Sequence, residues 1–140
     1  LYASGREGWC VEDLDKDPRE NLHPLLDLIL KHVDEPKVDK NAPFSMLVTL
    51  LDSDAYLGRI LTGRVQSGIG QINMPVRALA LDGSVVESGR LTKLLSFSGL
   101  KRVPVEQVEA GDIVCIAGMQ VASVANTIAD PAVTEAIPAT

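Results

Sequence analysis

The pattern of apolar and polar positions changes once along the chain, near residue 43. Before that point, the stretch "HPLLDLILKHV" repeats apolar side chains at helical spacing, at positions 25, 28 and 29. Pro24 suits the first turn of a helix, because its missing N–H leaves no bond unmade there. The pattern predicts a helix over residues 24–33, preceded by a short apolar strand end, "LYAS", and a polar, turn-rich loop.

From residue 43 onward the chain consists of short runs rich in Val, Ile and Leu. Turn signals such as Asp-Gly and Ser-Gly separate them every eight to fifteen residues, which favours an antiparallel barrel or sandwich. "LDGS" at 81–84 predicts a hairpin with a type I′ turn. Pro75 and Pro104 fall inside apparent strands and predict edges or bulges, because proline donates no ladder hydrogen bond.

These patterns predict three regions: a strand–loop–helix tail over 1–35, a linker over 36–42 and an all-β module over 43–140. The linker is predicted from its prolines and charges, "DEPKVDKNAP". We expect Leu25, Leu28 and Ile29 of the tail to lack the partners that would bury them. The tail is then either disordered or packed on the barrel or on a neighbouring molecule.

The glycine-rich stretch "LGRILTGRVQSGIGQ" at 57–71 invites comparison with a phosphate-binding loop. Gly63 and Gly68 have the spacing of such a loop, but Ile69 and Gly70 stand where its lysine and hydroxyl residue belong. A strand-like run follows instead of a helix, so no helix N-terminus faces an anion. We therefore interpret the glycines as bends or close backbone approaches in a curled sheet. Ser67-Gly68 is the predicted hairpin turn, and 69–76 the return strand.

Composition excludes some classes of protein. The chain is 46% hydrophobic and 23% charged, values of a soluble globular protein. No apolar run reaches the roughly 18 residues that span a bilayer, and there is no secretory leader. We expect a cytoplasmic protein that does not bind membranes. Because the chain starts at Leu1, we expect a piece of something longer.

Candidate catalytic and metal-binding groups are few. Cys10 and Cys115 match no metal spacing, and we expect buried, reduced thiols. His23 and His32 do not share a helix face, so we do not interpret them as ligands. No catalytic set of Ser, His, Asp or Cys is evident. The inventory favours a binding or interaction module.

Charge is unevenly distributed within the net −6. Residues 1–35 carry nine acids and four bases, whereas residues 58–103 carry seven bases and two acids. The second segment is compatible with a basic face that meets a polyanion, and equally with scattered solvated charges.

The chain resembles the TypA/BipA family of translational GTPases over essentially its whole length. The resemblance lies in the strand pair Gly58 to Ile69 centred on Gly63-Arg64-Val65, in "AGDIV" at 110–114, and in "NTIAD" at 126–130. "SGL" at 98–100 and "YAS" at 2–4 are more specific to this family. The resemblance implies a Greek-key barrel, the second domain of the family, preceded by the end of an α/β GTPase domain.

The family's functional parts are only partly present. The resemblance makes Ala3, Ser4 and Gly5 a remnant of the guanine-contacting loop, with Gly5 in place of the usual alanine. The phosphate loop, the switches and the Asn-Lys-x-Asp motif have no counterpart here. GTP and magnesium are thus implied for the parent protein, whereas these 140 residues are expected to be catalytically silent.

The resemblance also implies ribosomal partners. The family's second domain packs on its GTPase domain and touches small-subunit ribosomal RNA. The candidate RNA-binding residues are Arg59, Arg64, Lys101 and Arg102, which would contact phosphates. We expect a monomer with no DNA partner. Two alternatives stay open: an accessory barrel of a non-ribosomal protein, and the second domain of an elongation factor G or LepA type GTPase.

Overall fold

The computed structural model describes residues 1–35 and 37–139. The chain divides into two compact units, Leu1–Lys37 and Val38–Thr140. Pro36, the first residue of the predicted linker, lies outside the described residues. The elements, in chain order, are β1 (Tyr2–Ser4), β2 (Trp9–Val11), α1 (His23–His32), β3 (Ser45–Asp54), β4 (Gly58–Ser67), β5 (Ile69–Gln71), β6 (Pro75–Leu79), β7 (Val85–Arg90), β8 (Lys93–Ser98), β9 (Lys101–Val105), β10 (Gln107–Glu109), β11 (Ile113–Ala117) and β12 (Thr127–Ala129).

The first unit contains a strand that the polar pattern concealed. β1 pairs antiparallel with β2, with Tyr2 opposite Val11 and Ser4 opposite Trp9. The prediction of a continuous loop between β1 and the helix was therefore wrong. Three apolar residues form β2, and two of them, Cys10 and Val11, are buried. Their burial favours the strand despite the charged residues on either side.

Helix α1 is confirmed, with its start at His23, one residue earlier than predicted. Pro24 lies in its first turn, and Lys31 and His32 lie in its last turn, where cations complement the helix dipole. No residue of α1 is buried. Leu25 is half-buried, whereas the other apolar positions of the helix face solvent in this chain, with Leu30 as much as 81% exposed.

The second unit is built on an eight-stranded antiparallel sheet with the order β7-β6-β12-β3-β4-β11-β8-β9. β5 and β10 form a separate two-stranded pair. β11 and β12 return from far along the chain to lie beside β4 and β3, an arrangement of Greek-key kind. The prediction of a mainly β, antiparallel, barrel-type fold is confirmed.

A short connection shows that the sheet is rolled up. β7 and β8 are six positions apart in the strand order, about 29 Å in a flat sheet. Only Leu91 and Thr92 join them, and three extended residue steps cover at most about 11 Å. Leu91 exchanges hydrogen bonds with the Asn73–Met74 backbone, while the N–H of Thr92 donates to the carbonyl of Ala117 at 2.9 Å. The two ends of the sheet are therefore brought together.

Inside the rolled sheet lies one buried apolar cluster. It takes side chains from seven strands, β3, β4, β6, β8, β10, β11 and β12, and from the connections between them. Met46, Leu94, Val114 and Ile116 are each fully buried in it. Side chains from strands so far apart in the order meet only because the sheet curls around them.

Gly63 marks the tightest backbone approach in the sheet. A Cβ at this position would lie 1.9 Å from the carbonyl oxygen of Leu47 on β3. β3 carries a bulge beside it, since the register shifts between Val48 and Leu50. The interpretation that glycine here permits a second backbone to pass closely is confirmed.

The predicted hairpin turn at Ser67-Gly68 was wrong. β4 is already paired with β3 on one side and β11 on the other, so no edge is left for a return strand. At Gly68 the chain takes a positive φ of 72° and continues as β5, which pairs with β10. The sequence showed a turn-forming pair there but not that both edges of β4 were occupied.

The hairpin at 81–84 is confirmed, but its turn type was wrong. Gly83 has a φ of 82°, and Asp82 does not have a positive φ. The N–H of Gly83 donates to the carbonyl of Ala80, and the N–H of Ala80 donates to the carbonyl of Ser84. This is a three-residue loop with glycine in the left-handed position of a bulge, not a two-residue type I′ turn.

The two strand prolines lie at tolerant positions, as predicted. Pro104 is in β9, an edge strand of the sheet. Pro75 is the first residue of β6 and lies beyond the last pair that β6 makes with β12, Arg77–Ala129. Each proline therefore has no paired strand on one of its sides, and no backbone N–H is needed for a ladder hydrogen bond there.

Residues 38–42 of the predicted linker are attached to the second unit. Asp39 forms a parallel bridge with Ser67, and its carbonyl accepts the N–H of Gly68 at 2.8 Å. Lys40 forms an ion pair with Glu109 at 2.7 Å, and that bond raises the pKa of Lys40. These contacts make the segment part of the barrel unit.

We expect Gly63→Ala to lower the free energy of unfolding by about 3 kcal/mol or more, because the new methyl group collides with backbone that cannot rotate away. Gly58→Ala is the matched control. Gly58 has open space around its Cβ position and a φ of 72°, so we expect a cost of only about 1 kcal/mol. Urea unfolding followed by circular dichroism measures both. Equal costs for the two variants would contradict the close approach.

Candidate nucleic-acid interface

Arg59, one of the four predicted RNA-binding residues, is used inside the unit. Its Nη2 group donates to the carbonyl of Ala122 at 2.8 Å, and its Nε atom is buried without a hydrogen-bond partner among the described residues. Because side chains alternate between the two faces of a strand, Arg59 lies on the same face of β4 as Leu61, which belongs to the buried core. We therefore assign Arg59 a structural role: it holds the loop of residues 120–122 against the β3–β4 hairpin.

Glu87 binds the backbone of the same loop. Its carboxylate accepts the backbone N–H groups of Gln120, Val121 and Ala122 at 2.6–3.0 Å. Partial burial favours the protonated acid, but the three N–H donors and the nearby Arg59 outweigh burial and lower the pKa of Glu87. A carboxylate and a guanidinium thus fix one loop together.

Arg102 is oriented by an ion pair. Its Nη2 group donates to Oδ2 of Asp52 at 2.8 Å. This bond lowers the pKa of Asp52 and raises that of Arg102. Arg102 has five N–H donors, and Asp52 is its hydrogen-bond partner within residues 1–35 and 37–139. Donors on this guanidinium are therefore left for an anion.

Strand register aligns Arg64 and Arg102 on the outer face of the barrel. Arg64 lies opposite Ile113, and Arg102 lies opposite Phe97. Ile113 precedes Val114 by one position and Phe97 follows Ser96 by one position, and Val114 and Ser96 are paired. Because Val114 is part of the core, Ile113 and Phe97 point away from it. The row Arg64–Ile113–Phe97–Arg102 thus crosses β4, β11, β8 and β9, a width of about 14 Å. Ile113 is 60% and Phe97 43% exposed.

Lys101, the fourth candidate, begins β9 next to Arg102. It lies opposite Ser98 and is exposed, beside the fully exposed Leu100 in the β8–β9 turn. Of the other three candidates, Lys101 and Arg102 therefore lie on the edge strand β9, and Arg64 lies on β4, three positions away in the sheet order.

The remaining cations of residues 58–103 lie on several strands. The seven bases of this segment belong to β4, β6, β7, β8 and β9. Arg90, for example, donates to the carbonyl of Asn73. The barrel unit as a whole has eight bases and ten acids. Acids therefore outnumber bases in the barrel unit, and Arg59 and Arg90 are bonded to backbone carbonyls within it.

Phe97 and Ile113 were missed by the sequence reasoning. Alternation in "KLLSFS" places Leu95 and Phe97 on the same face of a strand. The sequence does not say that this is the outer face. There Leu95 is buried in a small cluster with Ile60 and Cys115, whereas Phe97 is exposed.

The predicted guanine-loop remnant lies at the end of β1 and at the start of the turn that leads to β2. The carbonyl of Ser4 accepts the N–H of Gly8 at 2.9 Å, and its hydroxyl oxygen accepts the N–H of Glu7 at 3.3 Å. A Cβ at Gly5 would meet nothing within 4 Å, so the family's alanine would fit there. A cleft of about 540 Å³ in this unit is lined by residues of 10–31 and by none of the three remnant residues. Their role in contacting guanine stays a prediction.

Other candidate chemistry is limited. Cys10 and Cys115 are buried free thiols, and the Sγ of Cys115 lies 3.1 Å from Oγ1 of Thr62. Within the described residues, no group of three or more His, Cys, Asp or Glu is placed to hold a metal ion. No helix in that part of the chain is long and apolar enough to cross a membrane.

Comparison with known proteins gives consistent matches. The family model described as elongation factor G domain 2 matches residues 43–130. A Synechocystis protein named large ribosomal subunit assembly factor BipA is 40% identical over 138 residues, covering 99% of this chain and 23% of the relative. Proteins of the same name from Bacillus subtilis and Escherichia coli K12 are 39% and 35% identical, covering 91% and 99% of the chain. The chain spans 21–23% of the length of these relatives.

We expect Glu87→Ala to lower the free energy of unfolding by about 2 kcal/mol at pH 7, because three backbone N–H groups lose a charged acceptor. The pKa of Glu87 is lower in the folded state than the ordinary 4.5. The contribution is therefore complete above pH 4.5 and is lost as the pH falls through the lowered value.

Urea unfolding of the wild type and the variant at pH 7 and pH 3 measures this contribution. The difference between them should shrink at pH 3. Glu106→Ala, at an exposed glutamate of the same unit, is the control and should be neutral. A difference independent of pH would contradict the role of the carboxylate.

Proposed function

Because this chain belongs to the elongation factor G domain 2 family in its BipA-type form, we propose that it is the ribosomal-RNA-contacting part of a ribosome-associated translational GTPase. The chain spans less than a quarter of its relatives' length, so the GTPase activity of the parent protein belongs to this proposal. We place that protein in the cytoplasm, where ribosomes are assembled and work.

The observation that carries the RNA contact is the placement of cations on the outer face. Arg64 and Arg102 lie at the two ends of the same cross-strand row, and Lys101 is next to Arg102 on β9. Guanidinium groups bind phosphates through several parallel N–H donors. Such contacts depend on the RNA backbone, not on base sequence. The four candidates therefore reduce to three, with Arg59 supporting the fold.

The proposal also has to specify which ribosomal subunit the barrel contacts. The resemblance implies small-subunit RNA, while the relatives are named for assembly of the large subunit. One factor can contact both subunits through different domains. We propose the small-subunit contact for this barrel and test each purified subunit separately.

The first unit supports the same proposal. Its helix exposes Leu26, Ile29 and Leu30 to solvent, an apolar stripe that a larger domain would bury. We propose that residues 1–35 complete a GTPase domain in the parent, on which the barrel also packs. GTP and magnesium would bind to that domain.

Two alternatives give different outcomes. An accessory barrel of a non-ribosomal protein would bind neither subunit. The second domain of an elongation factor G or LepA type protein would share the domain model. Identities of 35–40% across nearly the whole chain to BipA proteins favour the BipA type.

We expect the 140-residue chain neither to bind GTP tightly nor to hydrolyse it. Gly63 and Gly68 lie in and at the end of a paired strand, and the N–H of Gly68 already donates to Asp39. They therefore offer no cradle of free N–H groups for phosphates. Fluorescent GTP-analogue titration and phosphate release measure these properties. Micromolar affinity would contradict the expectation.

We expect the double variant Arg64→Glu, Lys101→Glu to bind small ribosomal subunits at least about tenfold more weakly than the wild type. Removal of each phosphate contact should also make the dependence of log K on log salt shallower by about 1. Arg102 is left unchanged, because a glutamate there would face Asp52. Sedimentation with each purified subunit at two salt concentrations measures binding.

Arg77→Glu on β6, a strand that pairs with β7 and β12 and with none of the four strands of the row, is the matched charge control. It should bind like the wild type. An equal loss in the control would indicate only a general charge effect. Binding of the wild type to neither subunit would contradict the proposed function.

A further inference from the structure

The outer-face row contains an exposed aromatic ring between two arginines. Phe97 is flanked by Ile113 and Arg102, with Arg64 beyond Ile113. We propose that Phe97 is a stacking platform for one unpaired base of a single-stranded RNA segment, whose phosphates are bound by Arg64 and Arg102. This inference rests on the proposed function and adds a preference for unpaired over duplex RNA.

The row matches both parts of a nucleotide: Phe97 matches the base, and the two arginines match the phosphates. An aromatic ring stacks on any base, since every base has a π face. Cations on either side match the phosphates that precede and follow the stacked nucleotide. The row is about 14 Å wide, enough for one or two nucleotides. In a duplex the base faces are already stacked on one another, so the ring would find no partner.

The platform is held rigidly. β8 pairs with β11 on one side and with β9 on the other. On the same face, two residues along each strand from Phe97 and Ile113, Leu95 and Cys115 are buried in the small cluster with Ile60. Asp52 holds the guanidinium of Arg102 at 2.8 Å. A site ordered before binding loses little entropy when the ligand arrives.

An acidic peptide is the competing occupant, because it too would contact two arginines. Asp52 already supplies a carboxylate to Arg102, and the row offers a flat exposed ring where a peptide side chain would need a pocket. The combination of a flat aromatic ring with flanking cations therefore favours a nucleotide. The peptide becomes an arm of the test.

The test measures affinity of the 140-residue chain for a short fluorescent single-stranded RNA and for a blunt RNA duplex of the same length. We expect Phe97→Leu to weaken single-strand binding by about 5- to 150-fold, the range for loss of one base–aromatic stack. Duplex binding should change by less than about twofold. Phe97→Tyr, which keeps the ring, should retain single-strand affinity.

Tyr56→Leu is the matched control for loss of an exposed aromatic ring. Tyr56 is 98% exposed at the tip of the β3–β4 hairpin, where Asp54 accepts its N–H. This variant should bind both RNAs as the wild type does. Phe97 is also exposed, so circular dichroism melting should show Phe97→Leu to be folded.

The outcomes separate the inference from the proposed function. Wild-type protein that binds neither RNA contradicts the proposed RNA contact itself. RNA binding that Phe97→Leu leaves unchanged, or weakens equally for both RNAs, overturns only the stacking platform. A polyglutamate peptide whose binding depends on Phe97 as strongly as that of single-stranded RNA would also overturn it.

Discussion

The two-residue connection between β7 and β8 is the constraint on which the barrel unit depends. It joins strands that lie six positions apart in the sheet, and so it requires a strongly rolled sheet. Rolling brings Gly118 against the backbone of Arg90, where a Cβ would lie 2.0 Å from the Arg90 carbonyl oxygen. It also encloses the core and leaves the opposite side chains of β4, β8, β9 and β11 on one outer surface. The candidate interface exists because the sheet is rolled.

Pairing inside the unit decides which cations are available to a ligand. Arg59 is committed to the carbonyl of Ala122, and Glu87 is committed to three N–H groups of the same loop. Arg102 is oriented by Asp52 but keeps further donors. The proposed binding of RNA therefore depends on a few cations, since the barrel unit carries more acids than bases.

The outer face of the barrel, and not its fold, distinguishes one member of such a family from another. A barrel of this family can support different chemistry on its outer face, because function depends on the residues at a site and not on the fold. Here that face combines two arginines and an exposed aromatic ring, and Lys101 is next to Arg102 at the start of β9. The first unit, with a helix whose apolar stripe faces solvent, contributes a second surface suited to a larger domain.

The sequence alone determined the class of fold, the helix, the edge positions of the two prolines and the close backbone approach at Gly63. These follow from local properties such as periodicity, proline's missing donor and glycine's missing side chain. It also nominated Arg64, Lys101 and Arg102. Tertiary structure decided that β4 has both edges paired, so Gly68 cannot start a hairpin, and that Arg59 points inward. It also placed Phe97 beside two arginines, because neighbours across a sheet are set by pairing between distant segments, which local sequence does not encode.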